Sequence, residues 1–88
     1  MKKELMIVTI SYSFDQEVVA LVFDDYEKAC DWIKEDWENE KRIDIEENGW
    51  EMDEEFSFCV KGFAVLTTRY KDDVGTTTWR IAREFDMR

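Results

Sequence analysis

Histidine and proline are absent from these 88 residues, glycine occurs three times and cysteine twice. Each shortage closes a class of function. Without histidine the chain lacks the side chain that most often serves as general base at neutral pH, and the commonest metal ligand. Neither cysteine has a histidine to activate it, and no serine or threonine stands in a nucleophile-elbow pattern. Three scattered glycines cannot build a phosphate-cradling loop. Carboxylates are too abundant to single out a catalytic pair, and neither "DIEENG" nor "KDDVG" has the D-x-D-x-D-G spacing of a calcium loop. The expectation is a protein that is not an enzyme and has no cofactor and no metal site. Cys30 and Cys59 are too few and too far apart for a disulfide framework or a zinc site. Both are expected as buried, unbridged thiols in a reducing cytoplasm.

Long apolar runs are lacking too. Nothing approaches the roughly 18 residues of a membrane span. The opening "MKKELMIVTISYSF" meets Glu4 at once and then alternates apolar with Thr and Ser, which reads as a strand and not as a signal peptide. With no linker and no repeat, residues 1–88 read as a single domain. Aromatic content of 15% and hydrophobic content of 44% supply a core and exclude disorder.

Basic residues are scarce. Twelve Lys and Arg stand against 22 Asp and Glu, for a net charge of −10. That balance opposes direct contact with nucleic acid or an anionic membrane, since both need cationic side chains. It favours a basic partner, or a groove that normally holds nucleic acid. The acid is concentrated: residues 1–60 contain 18 acidic and 6 basic side chains, whereas residues 61–88 contain 4 and 6.

The pattern along the chain predicts ββαββ, an α+β domain with one helix packed on one face of a four-stranded antiparallel sheet. Strict alternation predicts the first strand over Glu4 to Phe14, "DQE" turns the chain, and "VVALVF" (Val18 to Phe23) returns. Asp24 is the expected N-cap, with Glu27 completing a capping box. Tyr26, Ala29, Cys30, Ile33 and Trp37 then form one apolar stripe, predicting a helix from about Asp25 to Glu40, with fraying through Lys41 and Arg42. Trp32 lies to one side of that stripe and is expected to wrap onto the sheet edge. "RIDIEENGWEMDEE" fits neither period and reads as a loop with a short irregular edge segment near Trp50. "FSFCVKGFAVLTTRY" (Phe56 to Tyr70) reads as one long strand with a bulge at Gly62, and "TTTWRIAREF" (Thr76 to Phe85) as the last. Leu5, Ile7, Val18, Val22, Phe58, Val60 and Leu66 are left to line the face the helix does not cover. Either the 43–55 loop folds across that face or another subunit does.

Two acidic features are the candidate partner-binding residues. Asp24, Glu27, Asp31, Glu35 and Glu38 recur at spacings of three and four, which sets them on the helix face opposite the apolar stripe. "DIEENGWEMDEE" adds Glu46, Glu47, Asp53 and Glu54, with Trp50 as an apolar anchor. Neighbours in the helical row lie about 5 to 6 Å apart, close to the phosphate spacing of a nucleic-acid backbone. A polar outer face is what any surface helix has, but eight acids against two bases between Asp24 and Glu40 is not.

A short, single-domain, histidine-free and strongly acidic ββαββ chain resembles the phage-encoded inhibitors of bacterial defence, in particular the anti-CRISPR proteins that act as DNA mimics. The resemblance covers composition and layout over the whole chain and includes no aligned motif, so it assigns no residue a role. It implies a non-enzymatic inhibitor of a nucleic-acid-handling bacterial protein, a CRISPR effector, in the cytoplasm of the host cell. The alternatives are a homodimeric structural or adaptor protein using the uncovered sheet face, and an antitoxin-like partner of a basic protein.

Overall fold

A computed structural model describes residues 3–13 and 18–86. Phe14 and the expected "DQE" turn, Asp15 to Glu17, lie outside the described residues. The described residues form an α+β fold, with one α-helix and an antiparallel sheet of six strands where the sequence pattern predicts four. Strand β1 (Lys3–Tyr12) pairs with β2 (Val18–Phe23), which runs into helix α1 (Tyr26–Arg42). After the helix come the short strands β3 (Glu51–Met52) and β4 (Phe58–Val60), then β5 (Phe63–Tyr70) and β6 (Asp73–Asp86). The sheet order is β2-β1-β6-β5, with β3 and β4 sharing the outer edge of β5 end to end.

The extra strand near residue 60 corrects the long-strand reading. Lys61 and Gly62 form a two-residue hairpin turn, so that Val60 pairs with Phe63 and Phe58 with Val65. A bulge and a turn both shift the alternation by one residue, which is why the pattern does not separate them. Gly62 has φ +80°, and a Cβ there would stand 2.7 Å from the Tyr26 hydroxyl. Only glycine accepts both conditions. The turn also moves Leu66 to the helix side, where it is 2% exposed, while Phe63 and Val65 join Phe58 and Val60 on the opposite face.

The helix starts one residue later than its tandem aspartates suggest. Asp25 is the N-cap, its Oδ1 accepting from the Lys28 N–H at 3.1 Å. Lys28 therefore occupies the capping-box position, and Glu27 is released to pair with Lys61. At the other end the chain does not become a loop. It continues as a π-helical turn, Ile43–Glu47, in which the Asn48 N–H reaches back to the Ile43 carbonyl. Gly49, at φ +71°, ends it in the left-handed conformation that favours glycine. The edge segment expected near Trp50 is β3, paired to Thr68 and Arg69 of β5.

The core lies between α1 and one face of the sheet: Met6, Val8, Ala29, Ile33, Ala64, Leu66 and Trp79 are buried together. Each large apolar side chain here contributes about 1.5–3 kcal/mol of transfer free energy. Tyr26 and Trp37 pack at the margin, and Trp32 lies against Phe23 on the edge strand β2, ring centroids 6.5 Å apart. Two indoles fasten the layers. Trp37 donates its N–H to the Val65 carbonyl at 2.9 Å, and Trp79 donates to the Asp36 carboxylate at 2.8 Å.

The opposite face is open. The 43–55 segment does not fold across it: Met52 packs on the core side and Trp50 on Tyr70. Among the described residues the 3-10 turn Glu54–Phe56 reaches one corner, where the Phe56 carbonyl accepts from Thr67. Val18, expected on this face, pairs with Ile10 across a register shift in the β1–β2 ladder and falls on the other one.

Candidate functional site

The ten residues that the sequence singles out fall into three places. Glu27, Asp31, Glu35 and Glu38 are exposed on the outer face of α1, and Asp24, expected in the same row, is exposed in the bend just before the Asp25 cap. By helical rise Glu27 to Glu38 span about 16 Å. Of these, Glu27 holds an ion pair, its Oε1 3.1 Å from the Lys61 Nζ at the β4–β5 turn. That contact raises the Lys61 ammonium above the ordinary lysine range. Glu46 and Glu47 are exposed on the π-helical turn and prolong the acidic surface past the end of α1.

Asp53, Glu54 and Trp50 are elsewhere. Asp53 is half-buried, where its Oδ1 caps the Glu55 N–H at 3.1 Å and its Oδ2 lies 3.7 Å from Arg69. With Glu54 it lines a separate cleft beside Arg69, at the β3 edge. Trp50 is not an anchor ringed by acid. Its ring is half-buried against Tyr70, at 6.4 Å, and its backbone N–H donates to the Asp44 carbonyl at 2.8 Å.

What the row does border is a groove of about 450 Å³ between α1 and the β4–β5 hairpin. Glu27, Asp31 and Glu38 form its acidic wall, with Lys34 and Lys61 beside them. Trp37, Cys59 and Val60 supply apolar surface, and Val60 is 56% exposed. Helical spacing finds the acids. It cannot find Cys59, Val60 and Lys61, which reach the groove only because the hairpin folds back beside the helix. Cys30 and Cys59 are both free thiols, Cys30 buried as expected and Cys59 only half-buried. Burial pushes the Cys59 thiol up, and Glu38 adds to it.

A second set of acids escapes the sequence reading. Asp36, Glu40 and Asp44 recur every four residues on the inner flank, and all are half-buried. Desolvation raises the Glu40 carboxyl above the ordinary range, with Asp44 and Asp36 adding like charge. Asp44 is raised by the same desolvation, against a hydrogen bond from Asn48. These carboxylates serve packing and the Trp79 bond, and leave the outer row as the accessible acid.

Among the described residues no group of three or more side chains could hold a metal ion, and no helix is long and apolar enough to cross a membrane. Comparison with protein-family models, with curated proteins and with solved structures gives no match to this chain.

Proposed function

We propose that this chain is a non-enzymatic inhibitor that binds a nucleic-acid-handling bacterial protein, a CRISPR effector, by imitating a nucleic-acid backbone. The observation that supports it is the row Glu27, Asp31, Glu35 and Glu38, exposed on a 17-residue helix, with Asp24 just ahead of its cap and Glu46 and Glu47 beyond its end. A helix fixes the spacing of the carboxylates before binding, so a cationic groove meets a preformed line of charge. Long-range attraction then steers the encounter, while affinity needs a few desolvated contacts. The groove beside the row provides them: an arginine or lysine entering between α1 and the hairpin meets carboxylates and Trp37 on the helix wall and Cys59 and Val60 on the other. Asp53 and Trp50 drop out of the proposed surface because they are engaged elsewhere, and Glu54 because it lies at the β3 edge, away from the row. Free Cys30 and Cys59 accord with the reducing cytoplasm in which such a target works.

Capture from a bacterial lysate tests it. Immobilised chain should retain basic nucleic-acid-binding proteins at low salt and lose them at high salt or on adding duplex DNA. A variant with Asp31→Asn, Glu35→Gln and Glu38→Gln should retain far less. Equal capture by both forms would end the reading.

A further inference from the structure

We infer that the open face of the sheet is where a second copy of this chain docks, giving a back-to-back dimer with its two acidic helices outward. This is independent of what the helices bind. Phe56, Phe58 and Val74 on this side are 59%, 42% and 55% exposed, and Phe58 lies against Phe63 with ring centroids 5.5 Å apart. A groove of about 500 Å³ runs along them at the corner capped by the 3-10 turn. Scattered surface apolar residues need no explanation; a contiguous set of this kind marks an interaction surface.

Size and charge identify the occupant. Five strand positions at about 4.8 Å, over the 8-residue length of β5 at about 3.3 Å per residue, give roughly 600 Å². Two copies would then bury about 1,200 Å², the lower bound of a specific, stable interface. The chain has a net charge of −10, so two copies repel through almost any approach. This face is the exception, because away from its β3 rim its described side chains are apolar, serine, threonine, or the cations Arg69 and Arg80. Among its described side chains, carboxylates appear at the β3 rim, as Glu51, Asp53 and Glu55. A two-fold contact requires one patch to complement itself, and a face with bases on the strands and acids at one corner can do so. A basic partner is drawn to α1 instead.

Sedimentation equilibrium of the full chain, from about 1 to 200 µM, should give twice the 10.6 kDa chain mass at the upper end. Val74→Lys, and separately Phe58→Lys, should weaken association about a hundredfold, since each substitution enters a two-fold interface twice. Both sites are exposed in the single chain, so far-UV circular dichroism should be unchanged. Glu35→Gln should leave the dimer intact. A chain that stays monomeric throughout overturns the inference, as does a dimer unaffected by both lysine substitutions. So does binding of the monomer to neutral phosphatidylcholine vesicles through this face.

Discussion

Replacing Asp36 by alanine should unfold this protein at markedly lower denaturant, although Asp36 belongs to a helix covered in dispensable acids. Trp79 is 0% exposed on β6, at the centre of the sheet, and its indole N–H donates to the Asp36 Oδ2 at 2.8 Å. Alanine leaves that donor in the interior without an acceptor. A bond to a charged acceptor is worth about 1.5–3 kcal/mol, and an orphaned buried donor costs a similar amount. For a domain of this size about 2 kcal/mol lowers the midpoint temperature by roughly 8–16 °C. Asp36→Asn keeps a carbonyl oxygen in place and should cost less than half as much. Urea unfolding followed by far-UV circular dichroism measures both. Repeating Asp36→Ala in a Trp79→Phe background closes the cycle, because with the donor gone the alanine should cost little. Equal costs for alanine and asparagine, or a cycle with no coupling, would refute the reasoning.

Trp50→Ala should cost about 1–2 kcal/mol of stability, because its ring is half-buried on Tyr70, and should leave partner association unchanged. An intact fold with lost binding would return Trp50 to the contact surface. Glu40→Gln should stabilise the protein at pH 7 and make no difference near pH 3. Its raised carboxyl pKa means the native state holds that proton more tightly than the unfolded chain. Wild-type stability therefore falls as pH rises from the ordinary glutamate value through the raised one, and glutamine removes that loss. Paired thermal melts at the two pH values read it directly. A maleimide reagent should modify Cys59 before Cys30, and Cys59 more slowly than free cysteine at neutral pH, since burial and Glu38 both disfavour its thiolate. Prior modification of Cys30 would misplace the helix.

The elements with a single clear period were legible without coordinates. Alternation over Leu5 to Ile10 and the stripe Ala29, Cys30 and Ile33 place β1 and α1, and the exposed row on α1 follows from the same spacing. Adjacent aspartates left the cap ambiguous by one residue, because either can adopt the extended capping conformation. The Lys61–Gly62 turn was hidden because one inserted phase shift reads alike as bulge or hairpin. The π-helical turn has no periodic signature over five residues. Long-range contacts were out of reach altogether. Asp36 and Trp79 are 43 residues apart in sequence, and nothing local marks Asp36 as different from Glu35 beside it.

The central claim is that the outer row of α1 stands in for a nucleic-acid backbone, and fluorescence anisotropy of a labelled DNA target bound to purified CRISPR effectors tests it most directly. Titrated wild-type chain should displace the DNA from at least one effector, less effectively as salt rises. The variant carrying Asp31→Asn, Glu35→Gln and Glu38→Gln should not displace it, although its unfolding midpoint is unchanged or slightly raised by relief of like charge. Failure of the wild-type chain to displace DNA from any effector, or equal displacement by the neutralised variant, would contradict the account.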